Sequence, residues 1–117
     1  MDVRHYDCAV SGSSLRPGFE ESRPATAAEL DALPAITHSA LHTVERCIEE
    51  HHVADVDYID AKGTSSTIAF RPAYIRYNRA DHLVVWGMPV GVDHWEELRF
   101  DRIEAVRDSG EVFEPTW

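Results

Sequence analysis

Arginine side chains at three positions of this sequence could bind an anion. Arg99 and Arg102 lie three residues apart in the stretch Leu-Arg-Phe-Asp-Arg-Ile, and Arg71 lies earlier, directly before a proline. A guanidinium group is planar and always charged, and it can donate two parallel hydrogen bonds to a phosphate or a carboxylate. Residues three apart in a strand point to opposite faces, so we expect only one arginine of the pair to reach a ligand. We favour Arg102 for this role. The alternative for both is a structural ion pair with a neighbouring carboxylate: Asp101, Glu97 or Glu104.

One histidine and several aromatic residues belong to the same part of the sequence. His82 could stack on a base or donate a hydrogen bond, or it could simply be half-exposed at the start of a strand. Tyr77 and Trp95 are candidates for an exposed stacking surface beside arginine. Tyr58 and Trp86 are expected in the core, because a small domain needs aromatic residues there.

The sequence contains no set of residues that indicates an enzyme. His38 and His42 have the four-residue spacing of a helical metal pair, but the motif HExxH is absent and a third ligand would have to come from elsewhere. We expect this pair to lie on a solvated helix face. There is no nucleophile-base pair, phosphate loop or dinucleotide fingerprint, so we predict a non-enzymatic protein without a cofactor.

Charge and composition exclude other classes of protein. The chain has 117 residues, with 11 basic and 21 acidic side chains and a formal net charge of -10. Such a chain does not attract duplex DNA over its whole surface. The acidity is uneven, because the segment from Lys62 to Arg107 holds seven basic and six acidic residues. A local anion site in that segment is therefore compatible with the acidic whole.

The cellular location of the protein is predicted from the absence of targeting features and from the number and spacing of its cysteines. No stretch approaches the ~18 apolar residues needed to cross a bilayer, and the N-terminus lacks the pattern of a secretory signal. Cys8 and Cys47 are far apart in a chain with ordinary core-forming composition, so we expect both to be reduced. The expectation is a cytoplasmic protein with no membrane contact.

The N-terminal part of the sequence predicts two helices. Residues 1–24 are rich in loop-forming residues, and a short helix is expected over Thr26–Leu33, with Thr26 and Glu29 forming a capping box before Pro34. A longer helix is predicted over Thr37–His52, with Thr37 as its N-cap. Its apolar residues recur at helical spacing and form one stripe: Ala40, Leu41, Val44, Cys47 and Ile48.

After Val53 the apolar period changes to two, which predicts strands. Strands are expected around Val56 and Tyr58 and over 64–70, 74–77, 82–86 and 95–100, with Pro72 at a strand boundary or a bend. Ile103 and Val106 either prolong the last strand or begin a short sixth one. No helix suitable for a parallel crossover lies between the strands, so they should be antiparallel. We predict a mainly β fold with an N-terminal helix, forming a small, bent, five-stranded antiparallel barrel.

The segment from Leu41 to Phe113 resembles the WYL domain, a family found chiefly in bacterial transcription regulators. The resemblance rests on Val56-Asp57-Tyr58, Lys62-Gly63, Arg71-Pro72, His82-Leu83-Val84-Val85-Trp86 and the closing motif Leu98-Arg99-Phe100-Asp101-Arg102-Ile103. It implies an Sm-like or SH3-like barrel with an N-terminal helix and five bent antiparallel strands. It also implies a ligand-sensing module that binds nucleotide-like ligands or nucleic-acid fragments. In the triplet that names the family, only Leu83 matches, because Asp81 and His82 replace tryptophan and tyrosine.

These observations lead to one functional prediction and one alternative. The chain is expected to have a flexible extension with a short helix over 1–36 and a single domain over 37–117. The domain would sense a small anionic, nucleotide-like ligand or a single-stranded nucleic-acid end, and would act with a regulator protein. The predicted ligand-binding residues are Arg102, Arg99, Arg71, His82 and Tyr77. The alternative is a protein–protein interaction module that docks a partner or forms a homodimer through edge strands and the acidic N-terminal region.

Overall fold

The computed structural model describes residues 22–115 and residue 117, so most of the predicted loop-rich segment 1–24 lies outside the described residues. Two helices are followed by five strands. A one-turn 3-10 helix at Phe100–Arg102 lies between the last two strands. The elements are α1 (Ala27–Asp31), α2 (Ala35–Glu50), β1 (His52–Ile59), β2 (Ser65–Tyr77), β3 (Leu83–Pro89), β4 (Glu96–Arg99) and β5 (Ile103–Val112).

The capping box of α1 is confirmed. The Glu29 backbone N–H donates to Thr26 Oγ1 at 3.2 Å, and the Thr26 N–H donates to Glu29 Oε1 at 3.2 Å. These bonds satisfy two N–H groups that have no partner inside the helix. α1 buries Leu30 completely. This short helix is therefore anchored both at its first turn and through its apolar side chain.

The start predicted for α2 was wrong. The helix begins at Ala35 after Pro34, whose carbonyl accepts the His38 N–H at 3.0 Å, so Thr37 is not the N-cap. Proline suits this position because no helical bond requires its missing N–H. The predicted apolar stripe is confirmed, since all five of its residues are buried. The helix ends at Glu50, because His51 adopts the left-handed conformation.

Of the two alternatives predicted for Pro72, the structure shows the bend and not the boundary, because β2 continues through it. Residues 65–70 pair with β1, and residues 70–77 pair with β3 with a register shift between Pro72 and Tyr74. At Pro72, β2 pairs with β3 only, because its pairing with β1 ends at Phe70 among the described residues. No hydrogen bond to a second strand therefore needs the N–H that proline lacks. Gly87 lies opposite, where an added Cβ would overlap the Arg71 carbonyl oxygen. The two segments predicted as separate strands therefore form one bent strand.

All five strands form one antiparallel sheet in the order β4-β3-β2-β1-β5. The mainly β class with a leading helix is thus confirmed. The segment that begins at Ile103 is a ten-residue strand of its own, which pairs with β1. Closure into a barrel is not confirmed, because the strands at the two ends of this order, β4 and β5, are not paired.

α2 covers one face of the sheet and contacts β1, β2 and β5. The main core lies between them, and Tyr58 is part of it as predicted. Trp86 is also buried as predicted, but it belongs to a second, smaller cluster with Tyr74 and Val84. These side chains alternate along the strands with core residues, which places them on the opposite face of the sheet. Neither helix of the described chain has the length and apolar character needed to cross a bilayer.

Candidate ligand-binding site

A pocket of about 290 Å³ lies where the α1–α2 junction meets the turn between β2 and β3. It contains two of the five predicted site residues, Tyr77 and His82. Most of the remaining lining is apolar, and the polar groups are a threonine hydroxyl and two carboxylates. These residues are Leu33, Pro34, Thr37, Asp81, Leu83, Phe100 and Asp101. The volume is just below the range of about 300 to 1,000 Å³ for ligand pockets, so the pocket would suit only a small ligand.

The side chain of Asn78 fixes the turn that places His82 at this pocket. Its Oδ1 accepts the backbone N–H of Ala80 and of His82, each at 3.0 Å. Its own backbone N–H donates to the His82 carbonyl at 2.9 Å. Asp81 takes a positive φ of 62°, a conformation that aspartate tolerates better than most residues. His82 is consequently held half-buried at the start of β3.

Tyr77 is buried, with 9% of its surface exposed, so the prediction of an exposed stacking surface was wrong for this residue. Arg23 pairs with Tyr77 through two backbone hydrogen bonds, of 2.8 and 2.9 Å, and its guanidinium lies 4.4 Å from the ring centroid. Arg23 also forms ion pairs with Glu29 at 2.8 Å and with Asp81 at 3.4 Å. Burial raises the pKa of the Tyr77 phenol. One face of the ring is thus covered, and Tyr77 contributes a wall of the pocket.

Arg99 forms a structural ion pair, which was the predicted alternative to ligand binding. Its Nε and Nη2 atoms donate to the two carboxylate oxygens of Asp101. This pairing holds the pKa of Asp101 below its usual range, and the charges of His82 and Arg102 make smaller contributions in the same direction. The side chains of His82 and Arg102 therefore both lie near the Asp101 carboxylate.

Arg102 differs from Arg99 in having no such partner. It is half-buried, and it forms no hydrogen bond or ion pair with any residue that the structure describes. The pocket carboxylates, by contrast, both contact arginines, since Arg99 pairs with Asp101 and Arg23 with Asp81. Within the described part of the chain, the guanidinium of Arg102, next to the pocket residue Asp101, is therefore free of protein hydrogen bonds and could meet an anion.

Arg71 lies apart from the pocket. Its guanidinium donates to three backbone carbonyls, of Met88 at 3.3 Å, Pro89 at 3.2 Å and Val92 at 2.7 Å. Arg71 and Tyr77 are six residues apart on β2, which corresponds to about 20 Å along a strand. The predicted site residues therefore do not form one cluster, and the contacts of Arg71 hold the loop after β3.

The sequence analysis missed the wall that the N-terminal residues contribute. Leu33 and Pro34 line the pocket, although the sequence assigned both to a flexible extension. A signal was present, because Leu30 and Leu33 are apolar and one helical turn apart. Asp101 was considered only as an ion-pair partner, because its place at the pocket depends on the fold.

The histidine pair on α2 has no metal-site geometry. The His38 and His42 rings are stacked with centroids 6.2 Å apart. In the described chain, neither belongs to a group of three residues that could hold a metal ion. The group that does meet this condition lies at the other end of α2 and consists of Glu50, His52 and Asp108.

Comparisons with known proteins give a fold likeness. No protein-family model matches the sequence, and no curated protein matches it. Among solved structures, the chain is similar to proteasome accessory factor B/C (PafBC) of Arthrobacter aurescens, with a TM-score of 0.61 and 12% sequence identity. The match covers 69% of this chain and 13% of that chain. PafBC contains a WYL domain, so the likeness supports a distant WYL-like fold.

Proposed function

We propose that this chain is a ligand-sensing module of the WYL type, and that the pocket beside Tyr77 and His82 binds a nucleotide-like ligand. The observation that carries the proposal is that Arg102, beside the pocket residue Asp101, forms no hydrogen bond or ion pair with any described residue, while the pocket itself is largely apolar. A nucleotide combines the matching features, namely a planar base with apolar faces and a phosphate. The bound state would be passed on to a separate regulator protein.

Each part of such a ligand has a complementary group in or near the pocket. The side chains of Leu33, Leu83 and Phe100 provide apolar contacts for the faces of a base. The carboxylate of Asp101 can accept hydrogen bonds from its amino or ring N–H groups, and His82 can donate to a ring nitrogen or carbonyl. Arg102 would bind the phosphate. The terminal nucleotide of a single strand presents the same groups, whereas the net charge of -10 disfavours a long duplex.

A calorimetric titration with mononucleotides and short oligonucleotides tests this proposal. We expect Arg102→Ala to weaken binding about 10- to 100-fold, because a charge-assisted hydrogen bond contributes about 1.5–3 kcal/mol. Lys62→Ala is the matched control, since Lys62 is an exposed cation in the β1–β2 turn, and its affinity should stay within about twofold of wild type. The proposal is wrong if wild type binds none of these ligands, or if Arg102→Ala binds them as tightly as wild type.

A second function, docking of another protein or formation of a homodimer, is favoured by the open sheet. β4 and β5 are at the two ends of the strand order, and Val112 on β5 is 69% exposed. An edge strand with free backbone groups can pair with an edge of another chain. Light scattering over a range of protein concentrations shows whether the chain is a monomer or a homodimer. Val112→Lys should shift a dimer to monomer, and a wild type that remains monomeric at every concentration excludes self-association.

A further inference from the structure

Three side chains with metal-binding atoms meet beside the C-terminal end of α2, away from the pocket. His52 Nδ1 lies 3.0 Å from Asp108 Oδ1 and 3.4 Å from Glu50 Oε2. The three ligand atoms all lie within 4.8 Å of one another. Atoms bonded to one ion at about 2.1 Å are themselves about 3.0–3.4 Å apart in octahedral or tetrahedral geometry. The separations of His52 Nδ1 from the two carboxylate oxygens match that spacing.

The backbone brings these residues together from two distant parts of the sequence. Glu50 is the last residue of α2, and the left-handed conformation of His51 (φ 55°, ψ 46°) turns the chain so that His52 begins β1. Asp108 comes from β5, 56 positions after His52. The β1–β5 pairing shifts register between His52 and Ala54, which places Asp108 beside the beginning of β1.

The Asp108 carboxylate is oriented by neighbours that would not themselves bind a metal. The Gly110 backbone N–H donates to its Oδ1 at 2.8 Å, and Arg46 Nε donates to its Oδ2 at 3.2 Å. Contacts of this kind hold a ligand in place before an ion arrives and raise the affinity of a metal site. A carboxylate can bind an ion through one oxygen while the other keeps its arginine.

Exposure and charge also fit a cation. The His52 and Asp108 side chains are 21% and 16% exposed, whereas Glu50 is 52% exposed. The first two ligands are therefore held in position, while the open side leaves room for water molecules to complete the coordination shell. Two carboxylates beside a neutral imidazole carry a formal charge of -2, which the single charge of Arg46 offsets only in part.

We propose that Glu50, His52 and Asp108 bind one divalent transition-metal ion of the zinc class. The imidazole nitrogen selects this class, because Mg²⁺ and Ca²⁺ prefer an all-oxygen shell whereas Zn²⁺, Co²⁺ and Ni²⁺ accept mixed nitrogen and oxygen ligands. The ion would join the end of α2 to β5 and so stabilise the fold. This site is independent of the proposed nucleotide pocket.

The test is a calorimetric titration of tag-free protein with ZnCl₂ and CoCl₂. The histidine pair of α2 and Cys8 are removed first by His38→Gln, His42→Gln and Cys8→Ser, and this background protein should still bind one ion at the proposed site. In that background, His52→Asn and Asp108→Asn should each weaken binding at least tenfold. Both substitutions keep a hydrogen-bonding side chain, and circular dichroism without metal confirms that each variant is folded.

Thermal unfolding provides a second readout. Zn²⁺ at a concentration that saturates the background protein should raise its midpoint, and should raise the midpoints of both variants clearly less, because a ligand stabilises the folded state in proportion to its binding. MgCl₂ is the control ion and should have no such effect. If the background protein binds no Zn²⁺, or if His52→Asn binds it as tightly as the background, the three residues form only an ion-pair cluster and the proposal is overturned.

Discussion

The three arginines that the sequence offered as anion-binding residues have different surroundings in the structure. Arg71 donates to backbone carbonyls at the end of β3 and in the loop that follows it, Arg99 pairs with Asp101, and Arg102 forms no hydrogen bond or ion pair with a described residue. The partners of Arg71 lie 17 to 21 positions away, so no local pattern could identify them. A guanidinium can donate to a carbonyl, a carboxylate or a phosphate, and the fold determines which of them it meets.

Arg71 is expected to act on stability and not on ligand binding. Arg71→Ala removes three hydrogen bonds to carbonyls, and we expect the free energy of unfolding to fall by about 1–3 kcal/mol. Arg71→Lys should recover only part of this loss, because an ammonium group lacks the planar fork. Urea denaturation measures both variants. Normal stability combined with lost nucleotide binding in Arg71→Ala would instead place Arg71 in the ligand site.

The Glu29 carboxylate should make stability depend on pH in the acid range. The hydrogen bond from Arg23 is the main cause that lowers its pKa from 4.5 to about 2. A carboxyl whose pKa is lower in the folded state stabilises the fold above the unfolded value, and this contribution is lost as the pH falls from about 4.5 to about 2. Thermal midpoints measured across this range should therefore fall less steeply in Glu29→Gln than in wild type. Parallel curves for the two proteins would contradict the assignment.

At the scale of elements, β2 shows how a strand can pass through a proline. Its first half pairs with β1 and its second half with β3, and the register shift between Pro72 and Tyr74 lies in the second half. Gly87 makes this possible from the opposite strand, because it has no Cβ to meet the Arg71 carbonyl. Sequence rules associate proline with strand ends, but they do not show which side of a strand is left without a ladder.

Gly87→Ala should consequently destabilise the protein. The added Cβ would overlap the Arg71 carbonyl oxygen and lie 2.8 Å from Phe70 Cε2, so the two strands would have to separate. We expect a loss of about 1–3 kcal/mol in the free energy of unfolding, as for other overpacked sites. Gly63→Asn is the control, because Gly63 has open space around it and asparagine tolerates its positive φ. If the two variants have equal stability in urea, the close approach at Gly87 is unimportant.

At the scale of the whole molecule, the N-terminal residues that the structure describes pack with the sheet. Ala25 and Leu30 belong to the main core cluster, Arg23 pairs with Tyr77, and Leu33 lines the pocket. A single small domain gains stability with every apolar side chain that it buries. α1 therefore contributes both to the core and to the proposed ligand site.

A truncation and a point substitution test this contribution. Leu30→Ala should lower the free energy of unfolding by about 2–5 kcal/mol, because Leu30 is completely buried. Ile36→Ala is the control and should change the free energy of unfolding by less than about 0.5 kcal/mol, since Ile36 is 67% exposed.

A chain limited to residues 37–117 should be less stable than the full chain. If the two chains are equally stable, residues 1–36 do not contribute to the fold, and the domain boundary predicted after residue 36 is correct.

The sequence by itself determined the features that depend on neighbouring residues. The capping box at Thr26, the apolar stripe of α2 and the order of helices before strands follow from local spacing, and the antiparallel direction follows from connections too short to hold a crossover helix. Only the tertiary structure decided the continuous β2, the open sheet, the burial of Tyr77 and the different partners of the arginines. Each of these depends on contacts between residues distant in the chain, and the periodicity of one segment contains no information about which distant segment will face it.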